Sequence, residues 1–377
     1  MASDKTVLRV AHVIGKMVGG GVEQTVMNYY NYIDKNLIQY DFIIDNDSTC
    51  VPIEKIESMG GKVIYVPPYQ NIFSYISALN NIFKKNNYKI VYSHLNTLSV
   101  FPMFAAYLAK VPCRIAHNHS TAGKGEFKKN CIKYILRPFS KLFPTTLCSC
   151  SSYAGEWLFG KRKMENGDVK VWKNALEIEK FSYDKEIRKR IRNSMNLDNA
   201  FVVGHVGRFI HQKNHLFLLD VFDEIYKIDN SAILLLIGKG DLESEIKKVV
   251  KNKGLENSVI FTGNRTDVAD LYQAMDAFVF PSFYEGLGMV AVEAEIAGLH
   301  VYCSENIPGE AKICQNIHFL SLSDSPKQWA KEIAKCKGCE RHSMADSASK
   351  SGYDIKNSAK EMSDWYLELI NGDKNEN

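Results

Sequence analysis

A recurring alternation of short apolar runs with longer amphipathic stretches constrains the fold more than anything else in this sequence. Residues 233–237 are Ile233, Leu234, Leu235, Leu236 and Ile237, with no polar side chain to face water. Such a run suits a strand covered on both faces, as in a parallel sheet. Similar runs occupy 7–14, 40–45, 62–66, 89–93, 113–117, 145–150 and 169–172, then 201–206, 232–237, 258–262, 276–280, 299–303 and 317–320. Between most of them lie stretches with helical spacing: 22–35, 73–87, 98–109 and 127–143 in the first half, then 215–228, 242–253, 267–275, 290–297 and 326–335. The alternation predicts an α/β protein with two doubly wound, Rossmann-like domains, because 377 residues exceed one ordinary core. The join is expected at 181–184, before a charged helix at 185–195, which separates domains 1–180 and 181–355. A last helix, about 355–370, carries Ile355, Ala359, Met362, Trp365, Tyr366 and Leu369 at helical spacing.

Charge is unevenly placed. The net charge is +4, yet residues 1–180 carry +9 and residues 181–377 carry −5. Residues 103–163 hold 11 basic side chains against two acidic ones, Glu126 and Glu156. A patch of that kind needs an anionic partner: a membrane surface, a nucleic acid or a phosphorylated ligand. No recognised nucleic-acid motif appears, so nucleic acid is not expected. No apolar run reaches the ~18 residues of a spanning helix. The longest, 98–109, contains Pro102. With no signal-peptide pattern at the start, the expected location is the cytoplasm, with the nine cysteines as reduced thiols. Cys336, Cys339 and His342 have zinc-like spacing, but a closed site wants four ligands and no second pair follows.

Ligands of open parallel sheets bind beyond the carboxyl ends of strands, so the loops that follow strands carry the chemistry. After the first comes Gly19-Gly20-Gly21-Val22-Glu23, opening a helix whose N–H groups suit an anion. A dinucleotide fingerprint would have glycine where Gln24 stands, although Asp45 could mimic its ribose-binding acid. After 113–116 come His117-Asn118-His119-Ser120-Thr121, which reads either as acid/base groups or as a polar loop. Gly207-Arg208 and Gln212-Lys213-Asn214 bring two cations to one helix start, a place for a diphosphate. Gly238-Lys239-Gly240 and Gly263-Asn264-Arg265-Thr266-Asp267 are further strand-end turns, the latter capped by Thr266 or Asp267. The segment 281–294 places Glu285 in a loop and Glu293 within an apolar helix, where a lone acid is costly unless satisfied.

At these positions the sequence resembles the retaining GT-B glycosyltransferases of family 4 (glycosyl transferases group 1), and among them those of bacterial exopolysaccharide and capsule synthesis. The likeness rests on Pro281-Ser282 before Glu285-x7-Glu293, on Ala294-x3-Gly298, on Gly207-Arg208-x4-Lys213-Asn214, on Gly238-x-Gly240 and on Gly20-Gly21-Val22-Glu23. It implies two domains facing a cleft, with helix 356–371 returning to the N-terminal, acceptor-side domain. It implies that Arg208 and Lys213 hold the diphosphate of a nucleotide sugar, with Gly207 and Gly238 close by. Glu285 would bond sugar hydroxyls, and the N–H groups of Gly286, Leu287, Gly288 and Met289 would meet sugar and phosphate. Glu293 would bind the ribose, and Asn264 and Arg265 would lie by the base. From the N-terminal domain, Gly20 and Gly21 would approach the diphosphate and His119 the reacting sugar. His117, Glu23 and Asn174 are further candidates; Asn174-Ala175 stands where relatives have Asn-Gly. Also implied are a uridine donor, same-face attack with a phosphate oxygen as base, no cofactor and no required metal. Asp45-Asn46-Asp47 would suggest a metal only in the other glycosyltransferase fold.

Lys129, Lys133, Arg137 and Lys141 recur every four residues and predict one basic stripe beside abundant apolar area. That fits an interfacial helix on anionic lipid, bringing a lipid-linked acceptor into reach, or else a core helix with a solvated face. Pro138 would kink it. Alternative readings are a GT-B phosphorylase or epimerase, a nicotinamide dehydrogenase using the 19–21 loop, and an idle membrane-binding scaffold.

Overall fold

The computed structural model describes residues 7–121 and 127–372. The chain divides into two units. One comprises residues 7–121, 127–177 and 352–372 of those described; the other comprises Ile178–Ser351. No helix among the described residues is long and apolar enough to cross a membrane.

The first unit is built on strands β1 (Leu8–Gly15), β2 (Ile38–Asp45), β3 (Lys62–Val66), β4 (Ile90–Ser93), β5 (Cys113–Asn118), β6 (Thr146–Ser149) and β7 (Val169–Val171). They form one seven-stranded sheet in the order β3-β2-β1-β4-β5-β6-β7, with every pair parallel. Alternation along β1 explains its uninterrupted apolar character. Val10 and Ile14 enter one core with Tyr30, Tyr40 and Tyr92, while Ala11 and Val13 enter another with Tyr75, Leu79 and Phe83. The helix Ile355–Gly372 belongs to this unit, and its Ile355, Ala359, Met362, Trp365 and Tyr366 complete the first of those cores. The crossing to it is fixed by backbone: Leu176 N–H donates to Tyr353 O (2.9 Å) and Ile355 N–H to Leu176 O (3.1 Å).

The second unit holds β8 (Phe201–Val206), β9 (Ala232–Ile237), β10 (Val259–Gly263), β11 (Ala277–Phe280), β12 (His300–Ser304) and β13 (Ile317–Leu320). Their order is β10-β9-β8-β11-β12-β13, again parallel throughout. In each sheet the strand order reverses at one place, between β1 and β4 in the first and between β8 and β11 in the second. A crevice opens there at the strands' carboxyl ends, and ligands of doubly wound sheets enter it.

One expected element is corrected. The stretch 127–143 is not a single helix: Phe127–Leu136 is α-helical, and Arg137–Lys141 is a 3₁₀ turn with Pro138 in its first residues. Proline has no N–H for the α pattern and disfavours α geometry at Arg137, so the helix stops at Leu136. The basic residues therefore do not form one stripe. Lys133 Nζ donates to Thr121 O (2.9 Å), Lys141 Nζ to Phe159 O (3.4 Å), and the Arg137 guanidinium lies 5.6 Å over the Trp157 ring. The Lys129 side chain lies outside the described residues. Much of what faces outward is apolar: Ile132, Tyr134, Ile135, Phe139 and Leu142 are all exposed, Ile135 at 66%, with Lys141 exposed among them.

Candidate active site

In the second unit the loops after β8 and β11 meet. Asn214, held at φ 55°, ends the turn His211–Lys213 and donates from Nδ2 to Pro281 O (3.2 Å). Gln212 clasps the same loop twice: Phe283 N–H donates to its carbonyl (2.9 Å), and its own Nε2 donates to Tyr284 O (2.9 Å). This stitching brings Lys213 Nζ to 2.7 Å from Glu285 Oε1, with both side chains mostly buried, 14% and 10% exposed. The ammonium also stands 4.7 Å over the Phe280 ring. Sequence reading had singled out Lys213 and Glu285 separately; it did not foresee that they pair, or that Gln212 and Asn214 join their loops.

Glycines make room at this edge. A Cβ on Gly238 would stand 2.1 Å from Gly207 O, and one on Gly207 would stand 3.3 Å from the Lys213 side chain. Gly288, at φ 91°, precedes the helix Met289–Ile296, and the N–H groups of Leu287, Gly288 and Met289 have no acceptor among the described residues. Gly286 lies just before them in the same loop. Such a helix start is a ready anion site. Arg208 is exposed, with no ion pair among the described residues, at the opposite end of the turn from Lys213. Asn264 is exposed. Arg265 grips Asp267 through two nitrogens (2.7 and 2.6 Å), so Asp267 stands at the N-cap position of the next helix without bonding its N–H groups.

Two acids share the helix Met289–Ile296. Glu293 is partly buried, accepts from Tyr272 Oη (2.9 Å), and burial raises its carboxyl to about 7. Glu295 is fully buried and also raised to about 7 by burial; it accepts from the N–H groups of Ile313 and Cys314 and from the Cys314 thiol. The structural acid of this helix is thus Glu295, which sequence reading passed over, and Glu293 keeps one oxygen for other use. Cys336 is buried and bonded to Ile333 O (3.1 Å), whereas Cys339 and His342 are exposed.

In the first unit the glycine turn is closed from within. Glu23 accepts from the N–H groups of Val18 (2.9 Å), Gly19 (2.6 Å) and Gly20 (2.9 Å), leaving Gly21 N–H as the free donor of that turn among the described residues. Glu23 is therefore a cap, in the place where an incoming anion would need those same donors. Asn174 leaves its Oδ1 buried without a partner, next to Ala175, whose carbonyl accepts from Asn28. Asp47 of the Asp-x-Asp pairs with Lys16 (2.7 Å), and burial with Asp47 nearby raises Asp45 to about 6. At the ends of β4 and β5, His94, His117 and His119 are buried, with ring nitrogens within 4.8 Å of one another. Burial lowers His119 to about 3, and His117 is also lowered well below its usual value.

A family profile described as "Glycosyl transferases group 1" matches residues 187–354, and one described as "Glycosyltransferase Family 4" matches 19–180. Over 358 residues the chain is 32% identical to "Putative glycosyltransferase EpsF" of Bacillus subtilis (strain 168), covering 92% of this chain and 93% of that one. The chain belongs to the group 1 glycosyltransferases. This membership sets aside the nicotinamide dehydrogenase reading. The glycosyltransferase is also 26% identical to "Capsular polysaccharide biosynthesis glycosyltransferase CapH" of Staphylococcus aureus, over 96% of this chain and 99% of CapH. Its fold is GT-B, similar to a crystal structure of Anabaena Alr3699/HepE in complex with UDP and glucose (TM-score 0.79, 18% identity, 96% of this chain and 99% of that one).

Proposed function

We propose that this glycosyltransferase moves a sugar, with retention of configuration, from a uridine diphosphate sugar to a glycan or lipid-linked acceptor in polysaccharide assembly. The observation that carries the reading is the Lys213–Glu285 pair, held at 2.7 Å at the switch point of the donor-side sheet. Breaking an anomeric bond places negative charge on the departing diphosphate and positive charge on the sugar. Preorganised donors and cations at the leaving group then supply the largest stabilisation. Lys213, Arg208 and the N–H groups of Leu287 to Met289 do this for the diphosphate. Glu285 accepts from sugar hydroxyls once the donor shares Lys213. The free oxygen of Glu293 accepts from the ribose. A diphosphate oxygen serves as base for same-face attack, so no pair of carboxylates is needed as nucleophile and acid. These cations meet the charge demand without a metal or cofactor. Uridine is favoured by the likeness to HepE, and a polysaccharide product by the likeness to CapH.

The acceptor side is a membrane surface. The exposed Ile132, Tyr134, Ile135, Phe139 and Leu142 form the face that enters the lipid boundary, and the neighbouring cations add about 1 kcal/mol each on anionic lipid.

The test is a panel of UDP, GDP and ADP sugars screened by thermal shift, followed by transfer to a lipid-linked acceptor and NMR of the new linkage. Stabilisation by UDP sugars and a product of the donor's own anomeric configuration are expected. An inverted product, or a shift with another base only, would defeat the corresponding part of the reading.

A further inference from the structure

A buried imidazole stands beside Lys213 with one ring nitrogen held and the other without a partner. His205 lies near the end of β8, is fully buried, and has its Nδ1 2.8 Å from Val279 O. The sheet explains this bond. β8 and β11 pair only at Val203↔Ala277 and Gly204↔Phe278, so the strands part just beyond, at the switch point, and a side chain meets the Val279 carbonyl there. A carbonyl oxygen can only accept, so the proton sits on His205 Nδ1. Burial, with His215 next in effect, lowers His205 well below its usual value, so the ring is neutral and carries that one proton. Its Nε2 is therefore a bare lone pair, buried with no partner among the described residues. His215, 4.7 Å away between ring centres, makes no bond to it. Gly207 defines what lies between this lone pair and the lysine. A Cβ on Gly207 would stand 3.2 Å from His205 Nε2 and 3.3 Å from both Cδ and Cε of Lys213. The two side chains thus border one small gap, which stays open because residue 207 has no side chain. On its far side the Lys213 ammonium has three N–H donors. Among the described residues its hydrogen-bonded partner is Glu285 Oε1, at 2.7 Å.

We propose that His205 is a positioning residue for Lys213: its Nε2 accepts a Lys213 N–H when a sugar takes Glu285 and a diphosphate takes the ammonium. The proposal rests on the reading above that Lys213 and Glu285 hold the donor. Glu285 turns to sugar hydroxyls only by loosening its hold on Lys213, and the ammonium would then swing on a flexible four-carbon stem. His205 offers a second anchor that is itself fixed, through Nδ1, to the neighbouring strand. A neutral lone pair suits the task better than another acid. It aims the ammonium without offsetting its charge, so the full positive charge faces the departing diphosphate, whereas a second carboxylate would neutralise it. The low basicity of the ring serves the same end, because an imidazolium there would have no lone pair and would repel Lys213. Gly207 gains a further reason to be glycine, since a methyl group would fill the gap that the N–H must cross. A His205 that served packing alone would leave Nε2 unused in every state of the protein.

The experiment is long-range ¹H–¹⁵N NMR of the histidine rings in the full chain, labelled with ¹⁵N-histidine, at neutral pH, with His205 assigned by its loss in His205→Gln. In the wild type without ligand, His205 should be protonated on Nδ1 with Nε2 a free acceptor; protonation on Nε2 would overturn the proposal. Glu285→Ala removes the present partner of Lys213 with no ligand added. The His205 Nε2 signal should then move to that of a hydrogen-bonded acceptor, and the move should vanish when Lys213→Met or Gly207→Ala is added. An Nε2 signal that stays in place in Glu285→Ala would overturn the proposal, as would a move that persists in the Lys213→Met double variant, which would assign the bond to another donor such as His215. Inorganic diphosphate added to the wild type should produce the same move without any substitution. Diphosphate that binds, seen by ³¹P line broadening, yet leaves Nε2 unchanged would also overturn it. Diphosphate that does not bind, beside a normal response in Glu285→Ala, would count against the donor reading alone. In transfer assays His205→Phe should lower kcat/KM about tenfold, the scale of one hydrogen bond to a charged group, and His205→Gln, whose amide oxygen takes the place of Nε2, should restore most of it. Equal losses in the two variants would make His205 a packing residue.

Discussion

Replacing Glu293 by glutamine separates what this side chain costs the fold from what it does for the donor. Burial raises its carboxyl from 4.5 to about 7, with Tyr272 Oη bonded to one oxygen at 2.9 Å. A carboxyl raised in the folded state contributes stability fully below its unfolded pKa, and that contribution is lost as pH rises through the folded value. The loss therefore runs from about pH 4.5 to about 7, and the gap between those values caps it at about 3 kcal/mol. Glutamine has nearly the same shape, carries no charge at any pH and keeps an acceptor for Tyr272. For a domain of this size, about 3 kcal/mol corresponds to roughly 6–12 °C in Tm. By differential scanning fluorimetry, Glu293→Gln should melt several degrees above the parent at pH 8 and together with it near pH 4.5. The same variant should bind the nucleotide sugar more weakly, because ribose hydroxyls lose a charged acceptor. Equal melting of Glu293→Gln and parent at pH 8, or an equal gain at both pH values, would refute the reasoning.

Other consequences are open to direct measurement. Lys213→Ala should reduce transfer by about 10²–10³-fold in a donor-consumption assay, the usual effect of losing one preorganised charge partner; turnover within threefold of the parent would remove Lys213 from the site. Gly238→Ala puts a Cβ 2.1 Å from Gly207 O at φ 137°, and should cost about 2 kcal/mol or more in urea unfolding. Ile135→Glu with Leu142→Glu should abolish sedimentation with phosphatidylglycerol vesicles while leaving nucleotide binding intact; unchanged sedimentation would reject the apolar face as the contact.

The inner strand Ala232–Ile237 was legible because it is covered on both faces and so reads as an unbroken apolar run, whereas edge strands such as Lys62–Val66 and Val169–Val171 are partly exposed and showed only a shorter signal. The helices Ile53–Ser58, Ser152–Phe159 and Lys161–Glu165 were not, being too short to show a helical period. At the site, glycines and charges after strand ends were visible one loop at a time. What sequence could not show is which loops touch. The Lys213–Glu285 pair and the His94–His117–His119 cluster depend on strand order, which joins residues up to 72 positions apart. The basic spacing of 129–141 misled for a local reason: periodicity was read through Pro138, where the helix had already ended.

The helix Ile355–Gly372 has a consequence for the order in which the molecule can be made. It supplies Trp365 and Tyr366 to a core whose other walls, Tyr40 and Tyr92, are translated some 260 or more residues earlier. During synthesis the N-terminal sheet therefore waits, with one aromatic face uncovered, while the whole of Ile178–Ser351 emerges and can fold by itself. The unit begun first is the unit finished last, and in that interval the nascent chain offers a large apolar surface to chaperones or to its neighbours on the same message.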